Sequence, residues 1–517
     1  MQVRLSAVFA IIITALMLAS SAPSFADPLI VKTELGKVQG KAINEGKVRA
    51  FLGLPYAAPP IGELRWKAPE RPAKWKGTRD ATHYGARCMQ RNVFADMIFQ
   101  DNGPSEDCLY LNVFTPAGAK TKSKLPVMFW VHGGGYRGGS ASEPRHNGDF
   151  LPTKGVVLVT INYRLGVFGF LATSDLAKEA GGSAGNYGLM DMIAALQWVK
   201  ANIAKFGGDP SNVTIFGESA GSFAVSTLMA SPMARGLFQK AIGESGGAFG
   251  STLSTDLLED RTARDGKWVE SLGVSSLADL RGLPADKLLE ALGQPGTPGF
   301  SAVVDGRVVT EPVPDTYAKG QQAQVPLLAG WNRDEGGPIK DLTVEKWKTW
   351  AEDHLQNRAQ EFLRLYGGDT DEQATRSSAD LAGDTFIAFS TWKWIVAHRK
   401  TCDLPIYRYH LELAAPPSKF HPATAFHSDD IEYVFGTLET RPGAEWRPED
   451  RILSEQMMTY WTNFAKTGDP NGPGVPLWPK LGTENMVLHF DNPITVAPST
   501  VEPRYEFLQQ GMPSKRP

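Results

Sequence analysis

The sequence predicts an α/β fold with a mostly parallel central sheet, and three observations support that prediction. Residues 125–132 and 156–163 are nearly continuous apolar runs, typical of parallel strands buried on both faces. Residues 188–206 carry apolar side chains at helical spacing, so strands and helices alternate along the chain. A further strand at 213–216 passes through a short glycine turn into an apolar helix at 222–230. This alternation favours a doubly wound sheet flanked by helices.

Residues 1–26 are expected to lie outside this fold. Arg4 provides a positive start, residues 5–19 are almost all apolar, and Ser24 and Ala26 are the small residues that a signal peptidase recognises. We therefore expect a signal peptide cleaved after Ala26 and a secreted or periplasmic protein. The alternative, an uncleaved anchor, needs a longer apolar run to span a bilayer comfortably. No later segment is apolar enough to span one, so no stable membrane insertion is expected after cleavage.

Length and charge limit the class of protein. The chain has 517 residues, of which 42% are hydrophobic, and this is enough to bury a large core. We expect residues 27–517 to form a single domain. The formal net charge is -3 and no long basic run occurs, so a nucleic-acid partner is not expected. The oligomeric state is left open.

The remaining elements follow in chain order. Alternation at residues 29–38 predicts a hairpin-like start, and further strands are predicted at 105–114, 325–331 and 405–411. Residues from about 338 to 400 lack a strand pattern and are interpreted as a helical insertion that forms a lid or pocket wall. No long exposed apolar lid is evident in the sequence.

The turn Gly217–Gly221 fits the pattern G-x-S-x-G, with Ser219 at its centre. A strand before the turn and a helix after it are the context of a nucleophile elbow in α/β-hydrolases. A side chain at Gly217 or Gly221 would crowd the neighbouring strand and helix. The helix N-terminus behind Ser219 favours negative charge at the hydroxyl. The alternative is a serine in an ordinary loop.

A serine nucleophile needs a base, most often a histidine oriented by a carboxylate. In α/β-hydrolases the chain order is serine, acid, histidine. Glu335 follows the predicted strand 325–331, and both His421 and His427 lie in a later loop. His354 and His398 are expected at the surface, and His410 and His489 are interpreted as structural. A histidine base would make activity rise with pH near its ordinary pKa of about 6.5.

A glycine run and a pair of cysteines are two further candidates for a functional or structural role. Gly133, Gly134 and Gly135 follow a strand, and their N–H groups, with that of Ala220, could hold an oxyanion; the alternative is a flexible loop. Cys88 and Cys108 could form a disulfide in an oxidising compartment, and Cys402 is left over. No metal-ligand spacing occurs among the cysteines and histidines, so neither a metal nor a cofactor is expected.

Taken together, the motifs resemble the type-B carboxylesterase and cholinesterase family of α/β-hydrolases. The resemblance extends from about residue 29 to 490, with several motifs in the family's order. The matching motifs are Phe51–Tyr56, Glu106–Asn112, His132–Gly135, Asn162–Arg164, Gly217–Gly221, Asp334–Gly336 and Tyr433–Gly436.

The resemblance implies a serine esterase that hydrolyses small-molecule carboxylic esters through an acyl-enzyme. It assigns the nucleophile, acid and base to Ser219, Glu335 and His427. It implies an oxyanion hole of Gly134, Gly135 and Ala220, a buried polar pair of Glu218 and Ser245, and the disulfide Cys88–Cys108. Because the sequence shows no long exposed apolar lid, a lipase is a weaker alternative than an esterase for small to medium soluble esters. The alternative from another class is a non-catalytic adhesion or binding protein, since some family members have lost the serine.

The chain departs from the cholinesterase branch in the loop between Cys88 and Cys108. That loop contains Phe94 and Phe99 but no tryptophan, so recognition of a quaternary ammonium is not expected. Arg137 follows the glycine loop. If it faces the pocket, it would favour an anionic acyl group, as in the polycarboxylate esters of fumonisin that some relatives hydrolyse.

Overall fold

A mixed eleven-stranded sheet forms the centre of the fold in this computed structural model. The structure describes residues 29–511, so the expected signal peptide lies outside the described residues. The strands of this part of the chain are β1 (Ile30–Lys32), β2 (Lys37–Gln39), β3 (Lys41–Ile43), β4 (Val48–Pro55), β5 (Thr78–Asp80), β6 (Arg87–Cys88), β7 (Pro104–Ser105), β8 (Tyr110–Pro116), β9 (Leu125–Val131), β10 (Val157–Ile161), β11 (Gly208–Glu218), β12 (Lys240–Glu244), β13 (Asp256–Leu257), β14 (Val303–Val304), β15 (Leu327–Asn332), β16 (Ile406–Leu411), β17 (Met486–Phe490) and β18 (Thr495–Pro498).

Helices cover both faces of the sheet and fill the long connections between strands. They are α1 (Gly166–Phe170), α2 (Ser174–Glu179), α3 (Tyr187–Asn202), α4 (Ala220–Ala230), α5 (Leu258–Glu270), α6 (Leu277–Gly282), α7 (Ala285–Ala291), α8 (Val313–Ala318), α9 (Val344–Leu355), α10 (Ala359–Tyr366), α11 (Asp371–Gly383), α12 (Phe389–Thr401), α13 (Asp430–Phe435), α14 (Pro448–Thr467) and α15 (Glu502–Gln509). A π-helical turn, Asp384–Ala388, joins α11 to α12. No helix within residues 29–511 is both long and apolar enough to cross a bilayer.

The strand order confirms the predicted α/β fold with a mostly parallel sheet. It runs β18-β17-β16-β15-β12-β11-β9-β10-β8-β4-β3. Pairing is parallel from β10 through to β17 and antiparallel at both margins. The hairpin-like start forms as β1 and β2, which pair in a separate small sheet.

Burial of both sheet faces explains the continuous apolar runs. In β9, Val127 and Phe129 belong to one apolar core, whereas Met128 and Trp130 belong to the core on the opposite face. All four side chains are fully buried. Because successive residues of a strand point to opposite faces, a strand covered on both sides has no position left for a polar residue.

The carboxyl ends of the parallel strands bring the candidate residues to one edge of the sheet. Ser219 follows β11, Ser245 follows β12, and Gly133 comes two residues after β9. Glu335 lies three residues beyond the end of β15. This edge is where catalytic groups collect in open α/β sheets.

Candidate active site

Ser219 occupies a strained turn between β11 and α4. Its backbone angles are φ 53° and ψ -123°, a region that residues with a side chain rarely adopt. A Cβ at Gly221 would lie 1.9 Å from the carbonyl oxygen of Val131, and one at Gly217 would lie 2.6 Å from the same oxygen. Both glycines are therefore required for the helix to pack against β9, as the sequence predicted.

His427 lies between Ser219 and Glu335 and is hydrogen-bonded to both. The Ser219 hydroxyl donates to His427 Nε2 over 2.8 Å, and His427 Nδ1 donates to Glu335 Oε2 over 2.6 Å. With the ring proton on Nδ1, Nε2 is free to accept the serine proton. The structure therefore brings together the three residues that the resemblance assigned as nucleophile, acid and base.

The second carboxylate oxygen of Glu335 is also fully engaged. Its Oε1 accepts hydrogen bonds from the Ser245 hydroxyl at 2.5 Å and from the Asn332 backbone N–H at 2.8 Å. The residue is only 6% exposed, so these donors replace the water that a buried carboxylate loses. The two oxygens of Glu335 are thus placed to accept three hydrogen bonds, from His427, Ser245 and Asn332.

Asp334 helps to hold the segments of Glu335 and His427 together, although 92 residues separate them in the sequence. Its backbone N–H donates to the Ala425 carbonyl at 2.9 Å, and its side chain accepts from the Ala425 N–H at 3.0 Å. The Asn332 side chain also donates to the Phe426 carbonyl at 2.9 Å. Asn332 thus holds both the acid and the loop that carries His427, a role that no local pattern in the sequence indicates.

Glu218 is a second carboxylate close to the imidazole. Its Oε1 lies 3.2 Å from His427 Nε2, and its side chain is buried. Burial raises the pKa of Glu218 to about 8 against the opposing charge of His427. Burial alone would lower the pKa of His427, but the carboxylates of Glu218 and Glu335 raise it to about 9. The histidine therefore holds its proton to a higher pH than the ordinary value of about 6.5 expected from sequence.

Glu218 and Ser245, the predicted buried polar pair, are both buried but contact different residues. Glu218 faces His427 Nε2, whereas Ser245 donates to Glu335. The two residues therefore lie at opposite ends of the histidine ring, one beside each of its partners.

The glycine loop packs directly against the elbow. A Cβ at Gly133 would lie 2.5 Å from Glu218 Oε2, and one at Gly134 would lie 2.3 Å from the Gly138 carbonyl oxygen. Gly134 and Gly135 have φ values of 101° and 62°. Within residues 29–511 their N–H groups have no protein acceptor. The N–H of Ala220, the first residue of α4, likewise has no acceptor within its helix.

A cavity of about 600 Å³ opens above Ser219. Phe386 forms part of its wall, and its ring meets that of His427 edge to face at 5.0 Å between centroids. Phe386 lies in the π-helical turn, whose first residue, Asp384, is buried. Asp384 accepts from the Tyr505 hydroxyl at 3.1 Å and pairs with Arg504 at 3.0 Å. The last described helix thus supports the wall that contacts the histidine.

Arg137 also lines this cavity, and its side chain is exposed. Its guanidinium lies over the Phe94 ring, 5.7 Å from the centroid. In the part of the chain that the structure describes, no carboxylate pairs with it. The other two arginines of the cavity are neutralised, Arg145 by Glu143 at 2.9 Å and Arg264 by an aspartate at 3.0 Å.

The structure also places the three cysteines and two of the remaining histidines that the sequence singled out. Cys88 and Cys108 form a disulfide, and Cys402 is a buried free thiol. His421 lies on the cavity wall, stacked on a phenylalanine ring, and contacts neither Ser219 nor Glu335. The expectation of a surface position for His398 was wrong: it is fully buried, and its ring is hydrogen-bonded on both nitrogens.

Comparisons with known proteins show which family the chain belongs to. The model of the carboxylesterase family matches residues 27–508. The chain is 34% identical to the fumonisin B1 esterase of Sphingopyxis macrogoltabida, over 90% of this chain and 87% of that protein. It is 36% identical to the para-nitrobenzyl esterase of Bacillus subtilis, over 94% of this chain and 99% of that protein.

A solved structure extends the comparison to three dimensions. The chain superimposes on a carboxylesterase of Geobacillus stearothermophilus with a TM-score of 0.79 and 32% identity, covering 93% of this chain and 99% of that one. The match therefore includes nearly every element of both proteins. The chain belongs to the carboxylesterase family of α/β-hydrolases and is a carboxylic-ester hydrolase.

Proposed function

We propose that the chain is an esterase with a Ser219–Glu335–His427 triad that acts on small to medium soluble esters. The observation that carries the proposal is the position of His427, bonded through Nε2 to the Ser219 hydroxyl and through Nδ1 to Glu335. A histidine held between a hydroxyl and a buried carboxylate is oriented to accept the serine proton. The roughly 600 Å³ cavity is within the usual range for a small-molecule site.

In the first half-reaction, His427 Nε2 takes the Ser219 proton while Ser219 Oγ bonds to the ester carbonyl carbon. The negative charge that moves to the carbonyl oxygen is stabilised by the N–H groups of Gly134, Gly135 and Ala220. Collapse of the tetrahedral intermediate breaks the bond to the alcohol, which leaves with the proton from His427. Each oxyanion donor of this kind contributes about 10²–10³ to kcat.

In the second half-reaction, water replaces the alcohol. His427 takes a proton from the water as its oxygen attacks the acyl carbon, and the same N–H groups stabilise the second oxyanion. Ser219 Oγ leaves and recovers the proton from His427. Glu335 keeps its charge throughout and stabilises the imidazolium, so these residues supply every proton transfer.

The pH dependence of turnover tests His427 as the base. The neutral imidazole is the active form, and a raised pKa makes this form scarce at low and neutral pH. We expect kcat/KM for a p-nitrophenyl ester to rise with pH through a midpoint above 6.5, displaced toward about 9. Glu218→Gln should move the midpoint to lower pH, because it removes the charge that raises the pKa most.

The control is a parallel profile of Asp80→Asn, which removes an exposed carboxylate beside His83. Its midpoint should equal that of the unmodified chain. A profile that stays flat from acid to alkaline pH would contradict a histidine base.

A second candidate function is hydrolysis of esters with an anionic acyl group, and Arg137 is the observation that favours it. It is the cavity-lining arginine without an ion-pair partner among residues 29–511, so its charge is available to a substrate carboxylate. The similarity to a protein named fumonisin B1 esterase is consistent with this candidate.

Matched substrates measure the contribution of Arg137. We compare the p-nitrophenyl monoester of glutarate with neutral p-nitrophenyl pentanoate, which has a similar length. Arg137→Ala should lower kcat/KM for the glutarate ester about tenfold, the effect of losing one charge-assisted hydrogen bond, and leave the neutral ester nearly unchanged. Arg137→Lys should retain part of the preference. Equal changes for both esters would exclude the anionic-acyl candidate.

We also propose that the protein is exported and that residues 27–517 form a single domain. The support for export is the pattern of residues 1–26 together with the Cys88–Cys108 disulfide, a bond typical of oxidising compartments. The mass of the exported protein should correspond to a chain that begins at Asp27; a mass that includes residues 1–26 would contradict cleavage. Within the domain of residues 27–517, the inserted helices near 338–400 supply the pocket wall that includes Phe386.

A further inference from the structure

A cluster of two histidines and a glutamate lies outside the proposed triad and the cavity. His410 and His489 occupy paired positions on the parallel strands β16 and β17. Glu412 follows the end of β16, and its backbone N–H donates to the Phe490 carbonyl, which keeps it beside β17. The nitrogen and oxygen donor atoms of the three side chains lie within 4.8 Å of one another.

Both imidazoles point at a single oxygen. His410 Nδ1 lies 2.7 Å and His489 Nδ1 lies 2.9 Å from Glu412 Oε1. Two neutral nitrogen ligands and one carboxylate are a donor set that zinc accepts, with bonds of about 2.0–2.2 Å. Tetrahedral bonds of that length place ligand atoms about 3.3 Å apart, so each imidazole nitrogen must move about half an ångström away from Glu412 Oε1. The two nitrogens lie within 4.8 Å of each other and must reach a similar separation.

The exposure of the cluster permits an ion to enter. The three side chains are 20%, 24% and 23% exposed, so the cluster is reached by solvent and a water can complete the coordination shell. His489 Nε2 is buried and has no hydrogen-bond partner in the described residues.

The surrounding charge does not prevent binding. Glu412 contributes one negative charge to the cluster. Arg333 interacts with Glu412, but its guanidinium is paired with Asp334 at 2.7 Å, a carboxylate that also pairs with Arg376. Trp331 packs against the edge of the His410 ring with centroids 5.9 Å apart and limits the ring's movement.

We propose that His410, Glu412 and His489 form a binding site for a divalent transition-metal ion of the zinc class. The three side chains bind the ion, and a solvent molecule takes the fourth position. In the metal-free state, the same carboxylate accepts both imidazole N–H groups. The site binds an ion across two strands, and it is independent of the proposed ester chemistry.

Calorimetric titration with zinc chloride tests the proposal on the complete, tag-free protein after dialysis against a chelator. We expect one zinc equivalent to bind to a site that the double variant His410→Gln/His489→Gln lacks. Glu412→Gln, which is nearly isosteric, should weaken binding at least about tenfold. His83→Gln is the matched control, because His83 and Asp80 form an exposed histidine–carboxylate pair at 3.5 Å, and it should retain the site.

Cobalt provides a second readout that does not depend on activity. Cobalt bound in the site should give the visible absorption of a four-coordinate nitrogen and oxygen environment, and this absorption should be lost in the double variant. Circular dichroism confirms that the variants are folded. The proposal is overturned if unmodified protein binds no zinc at millimolar concentration, or if the double variant binds zinc with unchanged stoichiometry and Kd.

Discussion

Ser219→Ala is expected to remove ester turnover and leave the fold intact. Loss of the nucleophile of a serine triad costs on the order of 10⁶ in kcat. The unusual backbone angles of Ser219 are no less accessible to alanine, because both residues carry a Cβ. The side chain's hydrogen bond goes to His427, so the free energy of unfolding should change by only about 1 kcal/mol. The measurement is p-nitrophenyl ester hydrolysis beside a thermal unfolding curve.

Ser251→Ala is the matched control for this variant. Ser251 is exposed and lines the same cavity, but it makes no hydrogen bond to His427. Its removal should leave kcat within about twofold, because substitutions of exposed side chains without such contacts usually have small effects. If Ser219→Ala retained a rate close to that of the unmodified enzyme, Ser219 would have no place in the mechanism.

Glu335→Gln should produce the second-largest loss, on the order of 10⁴ in kcat, as for other triads in which an amide replaces the acid. Glutamine has nearly the same shape as glutamate but carries an amide NH₂ group in place of one carboxylate oxygen. The neighbours of Glu335 are the donors of His427, Ser245 and Asn332, so this NH₂ must face another donor or force His427 into the wrong tautomer. Steady-state kinetics at saturating ester measure the effect on kcat.

Glu335→Asp separates charge from geometry. It keeps the negative charge but withdraws the carboxylate by one methylene, so we expect a rate between those of the glutamine variant and the unmodified enzyme. A glutamine variant within tenfold of the unmodified enzyme would show that the carboxylate charge at this position is not needed.

The fold could be predicted because its signals are local. The apolar run that forms β9 is continuous because its successive side chains, such as Val127 and Met128, pack into opposite cores. The glycines around Ser219 could be predicted because the contact with the Val131 carbonyl leaves no space for a Cβ. Such constraints act within a few residues or one packing contact and leave a visible pattern in the sequence.

The supporting residues of the site could not be predicted, because they depend on contacts between distant segments. Asn332 acts through its bond to the Phe426 carbonyl, 94 residues away. The proposed metal site also depends on distant segments, since 77 residues separate Glu412, which follows β16, from His489 on β17. The ordinary pKa expected for the base was too low, because sequence does not reveal how close Glu218 Oε1 lies to His427 Nε2.

Two residues of the last described helix, Arg504 and Tyr505, hold Asp384, and they are synthesised late. Ser219, Glu335 and His427 all precede Arg504 and Tyr505 in the chain. Ribosomes therefore complete all three before making the residues that hold the π-helical turn, and with it Phe386, against the imidazole. A nascent chain that has not yet reached residue 504 lacks this support. Of the contacts that hold Asp384, those from Arg504 and Tyr505 are therefore synthesised last, after the Tyr366 hydroxyl that donates to the same carboxylate.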